Sequence, residues 1–149
     1  MSARRFHRVL VGWDSSPGAT AALAAAIAIA DEEAGRVVAL AVLRPVHRGE
    51  GGEEERAAEI ARHQQQTAEA FTKAMDALQG ASRARVTLEF AENSDAARTI
   101  CEYADAHVFE LIVLGRHGNG GVLHHRLGHV AEALAKKSDL PLLLLGSQI

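Results

Sequence analysis

The run Val37-Val38-Ala39-Leu40-Ala41-Val42-Leu43 constrains the fold more than any other segment of the chain. It is continuously apolar and rich in β-branched residues, so a strand built from it has no polar face to turn to water. Such a strand must be covered on both sides, the pattern of a parallel sheet held between two layers of helices. The flanking segments supply those layers. Val9-Leu10-Val11-Gly12-Trp13 is a shorter apolar run that ends at Asp14 and reads as a first buried strand. Ser15-Ser16-Pro17 then provides a helix cap with proline in the first turn, Leu23, Ile27 and Ala30 recur at helical spacing, and Gly35 is expected to end that helix.

The alternation continues to the C-terminal residues. From Pro45 to about Glu55 there is no apolar period, only glycines and the acidic Glu53-Glu54-Glu55, which reads as a loop whose glutamates favour the helix start that follows. Ile60, Ala68, Phe71, Met75 and Leu78 mark a long, weakly apolar helix over Arg56 to Leu78. Arg85-Val86-Thr87-Leu88-Glu89-Phe90 alternates with period two, so this strand belongs near an edge, with Arg85, Thr87 and Glu89 exposed. Ser94-Asp95 caps a helix running to about His107, Leu111 to Leu114 forms a fourth strand, and a helix with Leu127, Val130 and Leu134 closes at Lys136-Lys137. Pro141 to Leu145 is the last strand. Five strands alternating with four helices imply an α/β fold, a parallel doubly wound sheet in one domain spanning residues 1–149.

Composition excludes several functions. A net charge of −3 without any long run of Lys or Arg gives no footprint for nucleic acid or a membrane surface. No apolar stretch is long enough to span a bilayer, and the opening residues lack a signal-peptide core. The lone Cys101 cannot form an internal disulfide, which fits a reducing compartment and a buried structural thiol. The expected location is cytoplasmic. The chain has no G-x-x-x-x-G-K-(S/T) loop, no G-x-S-x-G elbow and no H-E-x-x-H, so P-loop hydrolysis, serine-hydrolase chemistry and zinc proteolysis lose their signatures.

What remains is a glycine pattern at the end of the fourth strand: Leu114-Gly115-Arg116-His117-Gly118-Asn119-Gly120-Gly121, followed by Leu127-Gly128-His129-Val130. Glycines let successive N–H groups turn toward an anion, and a helix beginning at about Gly128 would add its own amides and dipole. The same glycines would also suit a plain flexible turn. Asp14 and Gly115 both end strands, and ligands of doubly wound sheets bind beyond strand C-termini, so the two can meet at one cleft.

The segment Val9 to Pro17, the strand ending Ala41-Val42, and Leu111 to Leu145 together resemble the universal stress protein family over essentially the whole chain. Its ATP-binding members carry G-2x-G-9x-G-(S/T). Gly115, Gly118 and Gly128 match all three glycines and both spacings between them, whereas His129 stands where Ser or Thr is expected. The resemblance implies a three-layer Rossmann-like sandwich with strand order 3-2-1-4-5. It also implies that Gly12, Trp13 and Asp14 face the adenosine half of a nucleotide, with Val42 against the base. Asp14 would accept a ribose hydroxyl, cap the following turn, or do both. Leu114, Gly115, Arg116, His117 and Gly118, with Gly128, His129 and Val130, would surround the phosphates, and Arg126 could add a charge-assisted bond.

Without the expected hydroxyl, His129 removes one donor to phosphate, and its imidazole would either cover the phosphate or fill the place of a terminal one. ATP, ADP and AMP therefore stay equally open, as do a cyclic nucleotide and a pocket that binds none. His117, His124, His125 and His129 crowd this region, but no acidic residue or cysteine completes a metal set nearby, so a divalent ion, Mg or Mn, would arrive with the nucleotide phosphates. With no positioned base and no catalytic lysine, the expected role is a stress-response sensor or regulator with at most slow ATP hydrolysis. The family pairs its last strands between subunits, which implies a homodimer through Leu142 to Leu145. A dimeric scaffold working through protein contacts without nucleotide is the alternative.

Overall fold

A computed structural model of the chain describes residues 6–45, 52–78, 85–116 and 128–146. Among the described residues strands and helices alternate: β1 (Arg8–Gly12), α1 (Pro17–Ile29), β2 (Arg36–Leu43), α2 (Glu53–Ala77), β3 (Arg85–Glu92), α3 (Ala96–Ala106), β4 (Leu111–Gly115), α4 (His129–Lys137) and β5 (Leu142–Leu145). The strands form one five-stranded sheet in the order β3-β2-β1-β4-β5, and each neighbouring pair is parallel. Both the strand order and the doubly wound architecture match the expectation.

The sheet carries two cores because its inner strands are apolar on both faces. On one side Val9, Val11, Val37, Ala39 and Val113 pack against α1 through Ala22, Leu23 and Ile27, with α2 contributing Ala74. On the other, Leu10, Leu40, Ile112 and Leu114 meet Ile100 of α3 and Leu134 of α4. Leu10, Leu40, Ile112 and Leu134 are fully buried, so truncating any one to alanine costs about 2–5 kcal/mol. β3 lies at an edge, and its residues alternate as its sequence does, with Arg85, Thr87 and Glu89 exposed.

Three expectations shift. The first helix stops at Ile29 rather than at Gly35, because Ala30 turns extended and bridges to Phe6. Asp31 Oδ2 then accepts from the amides of Glu33 and Ala34 and closes a turn before Gly35. The second helix starts at Glu53, so the three glutamates form its first turn rather than the end of a loop, where they complement the dipole. Cys101 is half-buried rather than buried, with Sγ 4.0 Å from the Lys137 carbonyl oxygen, and desolvation is the main cause that raises its thiol pKa. Among the described residues no helix is long and apolar enough to cross a membrane.

Candidate functional site

The turn from β1 to α1 is built tightly by short-range hydrogen bonds. The Trp13 amide donates to the Leu40 carbonyl at 2.9 Å, extending the β1–β2 ladder past the end of the strand. Asp14, exposed, accepts the Ser16 amide on Oδ1 at 3.0 Å, an Asx turn that fixes the carboxylate. Ser15 takes a φ of 65°, a left-handed conformation uncommon outside glycine and found where a turn is over-determined by its neighbours. Ser16 is 4 % exposed, and its Oγ accepts from the Ala19 amide at 3.1 Å, capping α1. Asp14 thus does cap the turn, and the bond holds its carboxylate at the strand end.

Trp13 itself points into the core. It is buried among α1 and α2 residues and meets Phe71 edge-on, with ring centroids 5.7 Å apart. Among the described residues its Nε1 has no hydrogen-bond partner.

The end of β4 lies beside this turn, since β1 and β4 pair from Val9↔Leu111 to Val11↔Val113. Gly115 packs so closely on the first turn of α1 that a Cβ there would sit 2.7 Å from the Gly18 carbonyl carbon. Gly12 is also crowded, because a Cβ on it would run into the end of the Leu114 side chain, a neighbour that can shift as backbone cannot. Arg116 donates its amide to the Leu145 carbonyl at 2.7 Å and accepts the Gly128 amide on its own carbonyl at 2.7 Å. The second bond sets the start of α4 against the end of β4.

The N-termini differ in a way that bears on anions. Ser16 caps α1 and Asp95 caps α3 with their own side chains, whereas Gly128 at the head of α4 provides no side-chain acceptor. The opening amides and the positive dipole end of α4 are therefore compatible with a phosphate oxygen. The backbone at Gly128 is extended, with φ −62° and ψ 159°, so a larger residue is allowed there sterically by the main chain. His129 is exposed at the first position of α4, and Val130 is half-buried against the core shared by α3 and α4. Val42, half-buried, lies two residues past the Gly12↔Leu40 pair and so at the same end of the sheet.

The structure thus brings the main chain at Gly12, Trp13, Asp14, Val42, Leu114, Gly115 and Arg116 to the C-terminal ends of three adjacent strands, with the start of α4 at Gly128, His129 and Val130 tied to Arg116. The side chains of Trp13 and Leu114 are buried in the two cores rather than turned to a ligand. His117, Gly118, His124, His125, Arg126 and the glycines at 120 and 121 lie outside the described residues. Among the described residues no cluster of three His, Cys, Asp or Glu side chains could hold a metal ion. Ser16 caps α1 as its place before Pro17 leads one to expect, whereas Gly18 carries a role that its sequence position alone does not announce. Its one signal in the Ser-Ser-Pro-Gly string is its size, small enough for β4 to approach.

This geometry has close counterparts among solved structures. Hypothetical protein MJ0577, whose structure was used to assign a biochemical function, superposes with a TM-score of 0.81 at 21 % identity, covering 98 % of this chain and 99 % of that one. Universal stress protein UspA from Lactobacillus plantarum gives 0.78 at 21 % identity, covering 96 % and 99 %. A universal stress protein in complex with cAMP gives 0.67 at 19 % identity, covering 97 % and 100 %. At these identities the likeness establishes the fold. No protein with a curated description matches the sequence significantly. The family itself follows from the sequence profile, because the model of the universal stress protein family matches residues 5–146. With the profile spanning nearly the whole length and the sheet order in agreement, the chain belongs to the universal stress protein family.

Proposed function

We propose that the protein binds an adenine nucleotide across the C-terminal ends of β1 and β4 and acts as a stress-response sensor or regulator rather than a turnover enzyme. The observation that supports this reading is the bond from Gly128 to Arg116, which fixes an α4 N-terminus lacking a side-chain cap to the end of β4, the strand that pairs with β1 below the exposed Asp14. Asp14 would accept a ribose hydroxyl, Val42 would border the base, and Gly115, Arg116 and the amides from Gly128 to Val130 would face the phosphates. His117 and Gly118 complete the phosphate set in the motif. The universal stress protein solved with cAMP supports an adenosine ligand on this fold. ATP, ADP and AMP are the nucleotides proposed, with Mg or Mn held by the phosphates where more than one is present.

The test is Gly128→Asp. An aspartate at this N-cap supplies the missing side-chain acceptor and favours the helix dipole, so the fold should hold or gain stability. The same carboxylate repels phosphate, so nucleotide affinity should fall by about tenfold or more. Unchanged affinity in a folded Gly128→Asp protein would refute the phosphate assignment.

A second feature favours assembly. β5 is an edge strand whose Pro141 and Leu145 carbonyls accept from β4, so the intervening Leu142 and Leu144 turn their backbone groups to the open side. We infer a homodimer that pairs β5 with β5 and covers these half-buried leucines. A nucleotide-free dimeric scaffold would keep this contact and lose the first.

A further inference from the structure

The opposite end of the sheet holds a feature that neither the nucleotide site nor the dimer uses. Arg8, Arg36 and Arg85 each begin a strand, and the register aligns Arg8↔Arg36 and Arg36↔Arg85. Residues directly opposite in a parallel sheet share a face, and neighbouring strands lie about 4.8 Å apart, so three guanidinium groups project side by side. Like charges in that position are destabilising unless something offsets them. Arg8 is committed: its Nε and Nη2 donate to the His107 carbonyl at 3.1 and 2.8 Å, closing the C-terminal end of α3, and it lies 5.0 Å from the Phe109 ring centroid. Arg36 and Arg85 are exposed, and neither pairs with a carboxylate among the described residues.

These arginines open onto a groove of about 340 Å³ floored by Val38, at the lower end of the range for small-molecule sites. One wall is aromatic. Tyr103 stacks on Phe109 with centroids 5.9 Å apart, and the His107 ring lies tilted by 37° against it at 4.2 Å. Burial, with the Glu89 charge second, holds the Tyr103 phenol above its ordinary pKa, so it stays a protonated donor. Glu89 lines the groove from the same face of β3, farther along the strand than Arg85. The site therefore has a cationic end, an apolar and aromatic middle, and a single carboxylate.

We propose that this groove is a second ligand site, for a small phosphate monoester carrying one ring, with its phosphate between Arg36 and Arg85 and its ring against Tyr103. The guanidinium fork matches phosphate oxygens, which relieves the repulsion between the two arginines. The ring gains an edge contact with Tyr103, whose own ring already packs on Phe109 and His107. Glu89 disfavours a second anionic group and accepts a hydrogen-bond donor, which selects a monoester over a polyphosphate. The chain's net charge of −3 makes the cationic row a local feature rather than a general one.

The experiment titrates the full-length protein with phenyl phosphate and, separately, with inorganic phosphate at constant ionic strength, following backbone amides by two-dimensional NMR. Phenyl phosphate should move Arg36, Val38, Thr87 and Tyr103 and bind about fivefold tighter than inorganic phosphate, reflecting the ring contact. Arg36→Gln with Arg85→Gln should weaken it by about tenfold or more, while Gly128→Asp leaves it unchanged. Arg85→Lys, which keeps the charge and loses the fork, should fall between. Both arginines are exposed, so the double variant should keep its melting temperature. Equal affinity for the two probes, equal affinity in the double variant, or shifts confined to the strand-end turn and abolished by Gly128→Asp would overturn the assignment.

Discussion

The Gly128 amide donates to the Arg116 carbonyl at 2.7 Å, and this bond joins the end of β4 directly to the start of α4. Arg116 is in turn fixed by its own amide on Leu145 of β5. The head of α4 is thus positioned by the sheet. Its dipole end is thereby fixed at the C-terminal end of β4, the strand that pairs with β1, and this arrangement underlies the proposed nucleotide site.

Gly115 is expected to be structural as well as functional. A Cβ there would press to 2.7 Å on the Gly18 backbone, and main chain cannot rotate aside as a flexible side-chain tip can. Gly115→Ala should therefore destabilise the protein by about 1–3 kcal/mol, the range for overpacking a tight contact. Urea unfolding checks this as a lower midpoint at unchanged slope. A midpoint equal to wild type would mean that β4 and α1 can separate enough to admit a methyl group.

His129 is expected to tune which nucleotide binds. It is the first residue of α4, exposed, where related ATP-binding sequences place a hydroxyl. His129→Ser should raise ATP affinity relative to AMP by about threefold to tenfold, the value of one added hydrogen bond to phosphate. Calorimetric titration with both nucleotides reads the ratio directly, and an unchanged ratio would remove His129 from the terminal-phosphate position.

Some of this was legible from residues alone, and the reasons are specific. The unbroken apolar run of β2 demanded cover on both faces, and the period-two alternation of β3 announced an edge strand with one open face. Both hold because burial on a sheet is written in side-chain polarity at fixed spacing. Helix ends were less legible. Gly35 looked like a terminator, yet α1 ends at Ile29, where Ala30 turns extended to bridge Phe6 and the Asp31 side chain closes a turn before Gly35 is reached. The Gly115 contact with Gly18 and the alignment of Arg8, Arg36 and Arg85 depend on packing distance and strand register, which join residues far apart in the chain and leave no local pattern.

Assembly through β5 is expected to depend on the outward-facing backbone. Leu144→Pro removes an amide from the open side without touching the Pro141 and Leu145 carbonyls that hold β5 to β4. The wild-type protein should run as a dimer in light scattering at micromolar concentration, and Leu144→Pro should run as a folded monomer. A monomeric wild type would dismiss the dimer.

The central claim is the adenine-nucleotide site at the strand ends, and thermal unfolding of the wild-type protein with ATP, ADP, AMP and cAMP, each with and without Mg, tests it most directly. A nucleotide at one hundred times its dissociation constant should raise the melting temperature by roughly 5–10 °C, because a ligand that binds only the folded chain stabilises it. A melting temperature unmoved by all four nucleotides at millimolar concentration would contradict the account.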